Sequence, residues 1–361
     1  MAAAYFAPID LVLSMNGLKL YINSNISKYF QIAILLIIIS TNIIHLFATE
    51  YGNSITLKHV GDMLPAILSI LIKVYLYRKR ESILRLLLTM NQLLTDRQIQ
   101  ELRKFSIKCL IAFVVPSFSY LICCVTWALS FDNIQGILSN SVTDESDRSK
   151  SILAFIAIVG ETLFTHTTIY LSGALYLVVL RTLSEINRSH YHSCLMSNQS
   201  DQIKHHIRNV QRLIGINDQF CRQFDLFPFL WCILLYVQSS GFIVRTVEWS
   251  SGSTNSESTL SIVTYLIETC ITDTFYFSIV LFVAAKQQES IRKTMQTIQI
   301  QLWLKSIDNR SVIPLINAID LVGFELSGLG LFVVDKRMFL PMFGSIITFS
   351  ILFAQITGVN L

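Results

Sequence analysis

The chain has 361 residues, 52% of them hydrophobic and 14% charged, with a mean hydropathy of +0.54. Soluble domains carry roughly 25% charge, so this composition excludes an ordinary water-soluble domain and points to a polytopic membrane protein. The net charge of +4 is not gathered into a basic stripe, which argues against a nucleic-acid partner.

The opening stretch, MAAAYFAPIDLVLSMNGLKL, lacks a basic start, a compact apolar run and a cleavage site, and reads as retained rather than as a signal peptide. Seven apolar stretches of the length that crosses a hydrocarbon core follow, at 29–49, 59–77, 106–131, 152–180, 225–247, 259–285 and 339–358. Asp62, Lys73, Glu161 and His166 interrupt the second and fourth. Pro65, Pro116 and Pro228 fall within spans, where neighbouring groups can satisfy the freed carbonyls.

Alternate connections are basic. The N-terminal tail and the segments 78–104, 181–223 and 286–338 hold 22 Lys and Arg residues, against four on the other side, counting Arg245 at the end of the fifth span. By the positive-inside rule the basic side is cytoplasmic. The N-terminus is then inside and, after seven spans, the C-terminus outside. This is opposite to a G-protein-coupled receptor, and neither a DRY triplet nor NPxxY is present. The sequons at Asn25, Asn187, Asn198 and Asn309 all fall on the predicted inside, so no glycan is expected there.

The long basic connections are not linkers. Ile203, Ile207, Val210, Ile214 and Ile216 lie near helical spacing, and SIRKTMQTIQIQLWLKSI behaves alike. Both predict helices that run out of the membrane and pack on one another. The basic face of KHHIRNVQR would lie near anionic lipid. Seven scattered cysteines, Cys109, Cys123, Cys124, Cys194, Cys221, Cys232 and Cys270, form no CxxC pair, so no metal or redox site is expected. No HExxH, GxSxG or phosphate loop occurs, so neither an enzyme nor a cofactor is expected.

Polar residues within the spans are candidates for a ligand site. Glu161, Thr165 and His166 lie together in the fourth span, Glu268, Thr272 and Asp273 in the sixth, and Trp127 in the third. Carboxylates inside a span tend to face a cavity. An aromatic floor with carboxylate and hydroxyl walls suits a polyol, or an amine held by cation–π contact. The same residues could instead make interhelical hydrogen bonds that only fix packing.

The last span closes the pattern. Ser345, Thr348, Leu352, Gln355 and Val359 fall on one helical stripe, flanked by Ile356. Such a stripe lines an aqueous path or bonds a neighbouring helix.

The stretch FELSGLGLFVVDKRMFLPMFGSIITFSILFAQI resembles the C-terminal signature of insect gustatory receptors, seven-span chemoreceptor channels related to the insect odorant receptors. Thr348 and Gln355 match the family's Thr-Tyr, five hydrophobic residues, Gln-Phe ending. Gly330, Leu331, Phe332 and Asp335 match the motif upstream of it. Phe349 stands where the family has Tyr, Ile356 where it has Phe, and Ser350 and Ala354 dilute the hydrophobic five. LYLVVLRTLSEIN and GINDQFCRQFDLFPFL are similar to the family's patterns in those places.

The resemblance implies an all-α membrane protein with long cytoplasmic helical extensions forming an anchor. It divides the chain into a six-helix ligand-binding bundle at 1–285, anchor helices at 286–338 and a pore-lining helix at 339–361. It further implies a tastant-gated, non-selective cation channel at the plasma membrane of sensory neurons, a homotetramer or a heterotetramer with related receptors. Thr348, Leu352, Gln355 and Ile356 would line the pore, four Gln355 amides meeting monovalent cations and calcium, and apolar Leu352 and Ile356 closing by dewetting. The ligand would be a sugar, another polyol or a bitter plant compound. Two other readings are a secondary transporter with a midplane carboxylate site and an inverted seven-span metabotropic receptor. The absence of paired, repeat-related halves speaks against the transporter.

Overall fold

A computed structural model of the chain describes residues 5, 7–8, 57–129, 167–196, 200–250, 274–305 and 325–356. These residues are almost entirely helical. In chain order the long helices are α1 (Leu57–Asn91), α2 (Asp96–Leu129), α3 (Thr167–Met196), α4 (Ser200–Phe224), α5 (Leu226–Ser250) and α6 (Tyr276–Lys305). A two-stranded hairpin, β1 (Ser327–Gly328) and β2 (Phe332–Val333), and a 3-10 turn (Lys336–Met338) then lead into α7 (Phe339–Ile356).

Length separates these helices from simple spans. The 35 residues of α1 reach about 50 Å and the 30 of α6 about 45 Å. A hydrocarbon core is only about 30 Å thick. Both helices leave their apolar halves and continue without a break into polar sequence, α1 through RKRES and α6 through KQQES. The boundary at 285/286 therefore falls inside one continuous helix. Among the described residues, Thr167–His192 is long and apolar enough to cross a membrane, and Ile207–Phe224 with Leu226–Ser240 passes as a pair bent by 40°. The first expected span, 29–49, lies outside the described residues.

The sequence sets the breaks. Between α1 and α2, Thr95 and Gln98 form a capping box: the Thr95 N–H donates to Gln98 Oε1 at 3.0 Å and the Gln98 N–H to Thr95 Oγ1 at 3.4 Å. Between α4 and α5 the cause is Pro228. It has no N–H to offer the carbonyl of Phe224, and its ring crowds that carbonyl. The ladder lapses at Asp225, and Pro228 sits in the first turn of α5, where it is tolerated.

The core is organised around α3, which is buried on nearly every side from Thr168 to Asn187. A helix apolar all round belongs inside a bundle. It packs against α6, α2 and α1. α4 is amphipathic: Ile207, Val210, Leu213, Ile216 and Phe220 face inward, while Arg208, Arg212 and Arg222 are exposed. α4 and α6 contact each other, as their apolar spacing predicts. Tyr5, far upstream in sequence, is also buried in this core.

An aromatic column runs through the bundle. Tyr170 stacks on Phe277, Phe277 on Trp231 and Trp231 on Phe227, with centroids 5.7 to 5.8 Å apart, and Tyr176 meets Trp231 edge-on at 5.1 Å. The indole within it is satisfied: Trp231 Nε1 donates to Ser172 Oγ at 3.2 Å, and Ser172 Oγ to the Ile169 carbonyl at 2.6 Å, whereas the buried Tyr176 hydroxyl has no hydrogen-bond partner among the described residues. Asn187 is fully buried and donates to Asn217 Oδ1 at 3.4 Å, so its sequon offers no acceptor in the folded chain. Asn25, Asn198 and Asn309 lie outside the described residues.

Candidate functional site

α7 is mounted on the bundle by one narrow stripe. Ile346 and Ser350 are buried, and the helix packs chiefly on α5. Ser350 turns its hydroxyl back to the Ile346 carbonyl at 2.7 Å, so this small residue lets the helices approach closely without stranding a polar group. Phe349 packs against Tyr236 with centroids 5.3 Å apart. The hydroxyl of Tyr236 lies 3.5 Å from the Ser345 carbonyl, so a phenol meets this helix from α5.

The opposite face is open. Thr348 and Gln355 are exposed, and Leu352 is 51% exposed. Thr348 Oγ1 donates to the Gly344 carbonyl of its own helix at 2.9 Å, leaving lone pairs facing outward. Thr348, Leu352 and Gln355 therefore share the face turned away from α5. Ile356 ends α7, and its side chain lies outside the described residues.

The hairpin fixes where α7 begins. Leu329 and Gly330 have φ of 52° and 73°, and the Leu331 N–H donates to the Gly328 carbonyl at 2.9 Å. Two successive positive φ values define a primed turn, which suits the twist of a hairpin. Gly328 leaves room for the Phe332 ring, whose nearest carbon a Cβ would meet at 2.3 Å. The Leu329 N–H donates to the Asp225 carbonyl at 3.2 Å, seating the hairpin on the α4–α5 break. Asp335 caps the 3-10 turn, accepting from the N–H groups of Arg337 at 2.8 Å and Met338 at 3.0 Å. Gly330, Phe332 and Asp335 thus have structural work in shaping the approach to α7, while Leu331 is exposed.

At the same junction Lys336 Nζ bonds the Glu289 carboxylate of α6, and Lys293 Nζ bonds its other oxygen at 2.7 Å. The hydrogen bonds and charges of Lys293 and Lys336 hold the Glu289 carboxyl at about 2, below its usual 4.5. On α4, Cys221 is pushed up to about 12 by burial and by the charges of Asp218 and Asp225.

Glu161, Thr165, His166, Glu268, Thr272 and Asp273 lie outside the described residues, and Trp127 lies in α2 with its side chain outside them. The described residues that follow in α3 and α6 are closely packed. Tyr276 donates its hydroxyl to the Tyr170 carbonyl at 2.9 Å and lies over Gly173, where an added Cβ would sit 3.1 Å from that oxygen. Among the described residues no group of three or more His, Cys, Asp or Glu side chains is placed to hold a metal. Sequence reasoning missed the hairpin and the Glu289–Lys336 pair. The two glycines of SGLGLF are a turn signal that could have revealed the first. Nothing local marks the second, whose partners are 47 residues apart.

No protein-family model matches the chain, and no curated protein sequence does. Solved structures do. The insect olfactory receptor OR5 from Machilis hrabei matches with a TM-score of 0.66 at 12% identity, over 98% of each chain. The same receptor in complex with eugenol matches with a TM-score of 0.68, again at 12% identity over 98% of each chain. The chain has the fold of an insect olfactory receptor. The likeness spans nearly the whole length of both chains.

Proposed function

We propose that the chain is a gustatory receptor: a subunit of a tetrameric, tastant-gated, non-selective cation channel with seven spans and a cytoplasmic N-terminus. The supporting observation is the mounting of α7. Its Ile346–Ser350 side packs on the bundle, while Thr348, Leu352 and Gln355 share an outward face, within a fold like that of an olfactory receptor. Polar side chains facing lipid are costly. A face of this kind suits a helix that meets copies of itself around water.

In this reading four α7 helices surround the pore at the plasma membrane of a sensory neuron. Gln355 amides offer neutral dipoles to partly hydrated monovalent cations and calcium, and Leu352 and Ile356 close the path by dewetting. The ligand, a sugar, polyol or bitter plant compound, binds near Glu161, Thr165, His166, Trp127, Glu268, Thr272 and Asp273. The ends of α1, α3, α4 and α6 extend into the cytoplasm. The C-terminal signature, including Thr348, Gln355, Gly330 and Asp335, favours the gustatory branch over the odorant one.

Whole-cell recording from cells expressing this chain tests the proposal, with sugars and then bitter alkaloids and glycosides applied while G-protein signalling is blocked. A fast inward cation current is expected. A surface-expressed chain that instead accumulates a substrate, or signals only when G proteins are active, would overturn it.

A further inference from the structure

α6 and the root of α7 are fastened at two places. Phe282 meets Phe339 edge-on with centroids 6.2 Å apart, and Glu289 bonds Lys336. Phe282 and Glu289 are two turns apart on α6, so both fastenings lie on one side of that helix. The other end of α6 is held to α3 by the Tyr276 hydroxyl on the Tyr170 carbonyl, about 20 Å from Glu289 along the axis. The helix is unbroken between these points. Lys336 lies in a 3-10 turn that Asp335 caps and the hairpin supports from the Asp225 side. Movement of α6 therefore reaches the start of α7 through a short, braced connection.

We propose that Glu289 and Lys336 form a gating latch. The ion pair couples displacement of α6 to the root of the pore helix and sets the closed–open balance, an inference that rests on the channel reading above. Both side chains are nearly half exposed. An ion pair of that kind contributes little to global stability. It can still bias an equilibrium between two conformations that hold it differently. Lys293 supplies an internal control. It bonds the same carboxylate but belongs to α6, so it does not bridge to α7. Glu289 and Lys336 are positioning residues and touch neither ligand nor ion in this scheme.

The test is a double-mutant cycle in the full chain, recording basal current and currents evoked by sucrose, quinine and eugenol. Glu289→Gln and Lys336→Gln should each shift the half-maximal concentration or basal activity about threefold in the same direction. The double variant should shift no further than either single one. Lys336→Arg should stay near wild type. Lys293→Gln should produce no such shift. Surface level and reversal potential should be unchanged throughout. Additive single effects, or an equal shift from Lys293→Gln, would overturn the latch while leaving the channel reading intact. A surface-expressed wild-type chain without any current would overturn the channel reading, and the latch with it.

Discussion

The amide of Leu329 donates to the carbonyl of Asp225 across 3.2 Å, joining the hairpin tip to the break between α4 and α5. Carbonyls at a helix end lack intrahelical partners. Pro228 makes the break by leaving the Phe224 carbonyl without a donor four residues on, and the hairpin docks at the next carbonyl, that of Asp225. The same proline thus interrupts one helix and makes a seat for the segment that starts another.

The hairpin should tolerate no side chain at Gly328. A Cβ there would lie 2.3 to 2.9 Å from three carbons of the Phe332 ring, so ring or backbone must move. Overpacking of this kind costs about 1–3 kcal/mol. Gly328→Ala should lower the melting temperature of detergent-solubilised protein, whereas Gly215→Ala, at an exposed site with open space, should not.

Glu289 gives stability a defined acid dependence. Its folded pKa of about 2 lies below its ordinary 4.5, so its contribution is complete above 4.5 and fades as pH falls toward 2. Because the pair is nearly half exposed the effect is small: melting curves of wild type and Glu289→Gln should differ slightly at pH 6 and converge as pH drops through 4 to 2.5. A gap that stays constant with pH would show that the Lys293 and Lys336 contacts do not hold the charged form.

Cys221 should be chemically quiet. The thiolate is the reactive species, and a pKa pushed up to about 12 leaves it on the order of one part in a hundred thousand at neutral pH. Maleimide should modify Cys221 only after denaturation, as read by mass spectrometry. Rapid labelling of native protein would contradict the burial described here.

Gln355→Ala should change cation selectivity or conductance with little effect on ligand potency. Reversal potentials under ion substitution measure this. Unchanged permeation would remove Gln355 from the pore.

Asp273→Asn and Glu268→Gln should shift the dose–response with permeation intact. If neutralising both, together with Glu161→Gln and His166→Gln, leaves the curve in place, the pocket lies elsewhere.

Much of the architecture is legible in the chain. Helical spacing at Ile207, Val210 and Phe220 shows which side of α4 is buried, because an apolar stripe every three or four residues has one place to go. Pro228 stands out as a proline within a span, though that it parts two helices shows only in the fold, and Thr348 with Gln355 marks a polar stripe on the last helix. What sequence leaves open are pairings between distant segments. Whether Ser350 dilutes a hydrophobic run or serves close packing depends on α5 lying against it. Asp335 matches a family signature in the sequence, but its work as a cap depends on the backbone folding back to offer two N–H groups. Lys336 could have met any acid, and only the placement of α6 beside the hairpin gives it Glu289. Periodicity and breakers act within a few residues and can be read along the chain. Contacts between remote segments exist only once the helices have chosen their neighbours.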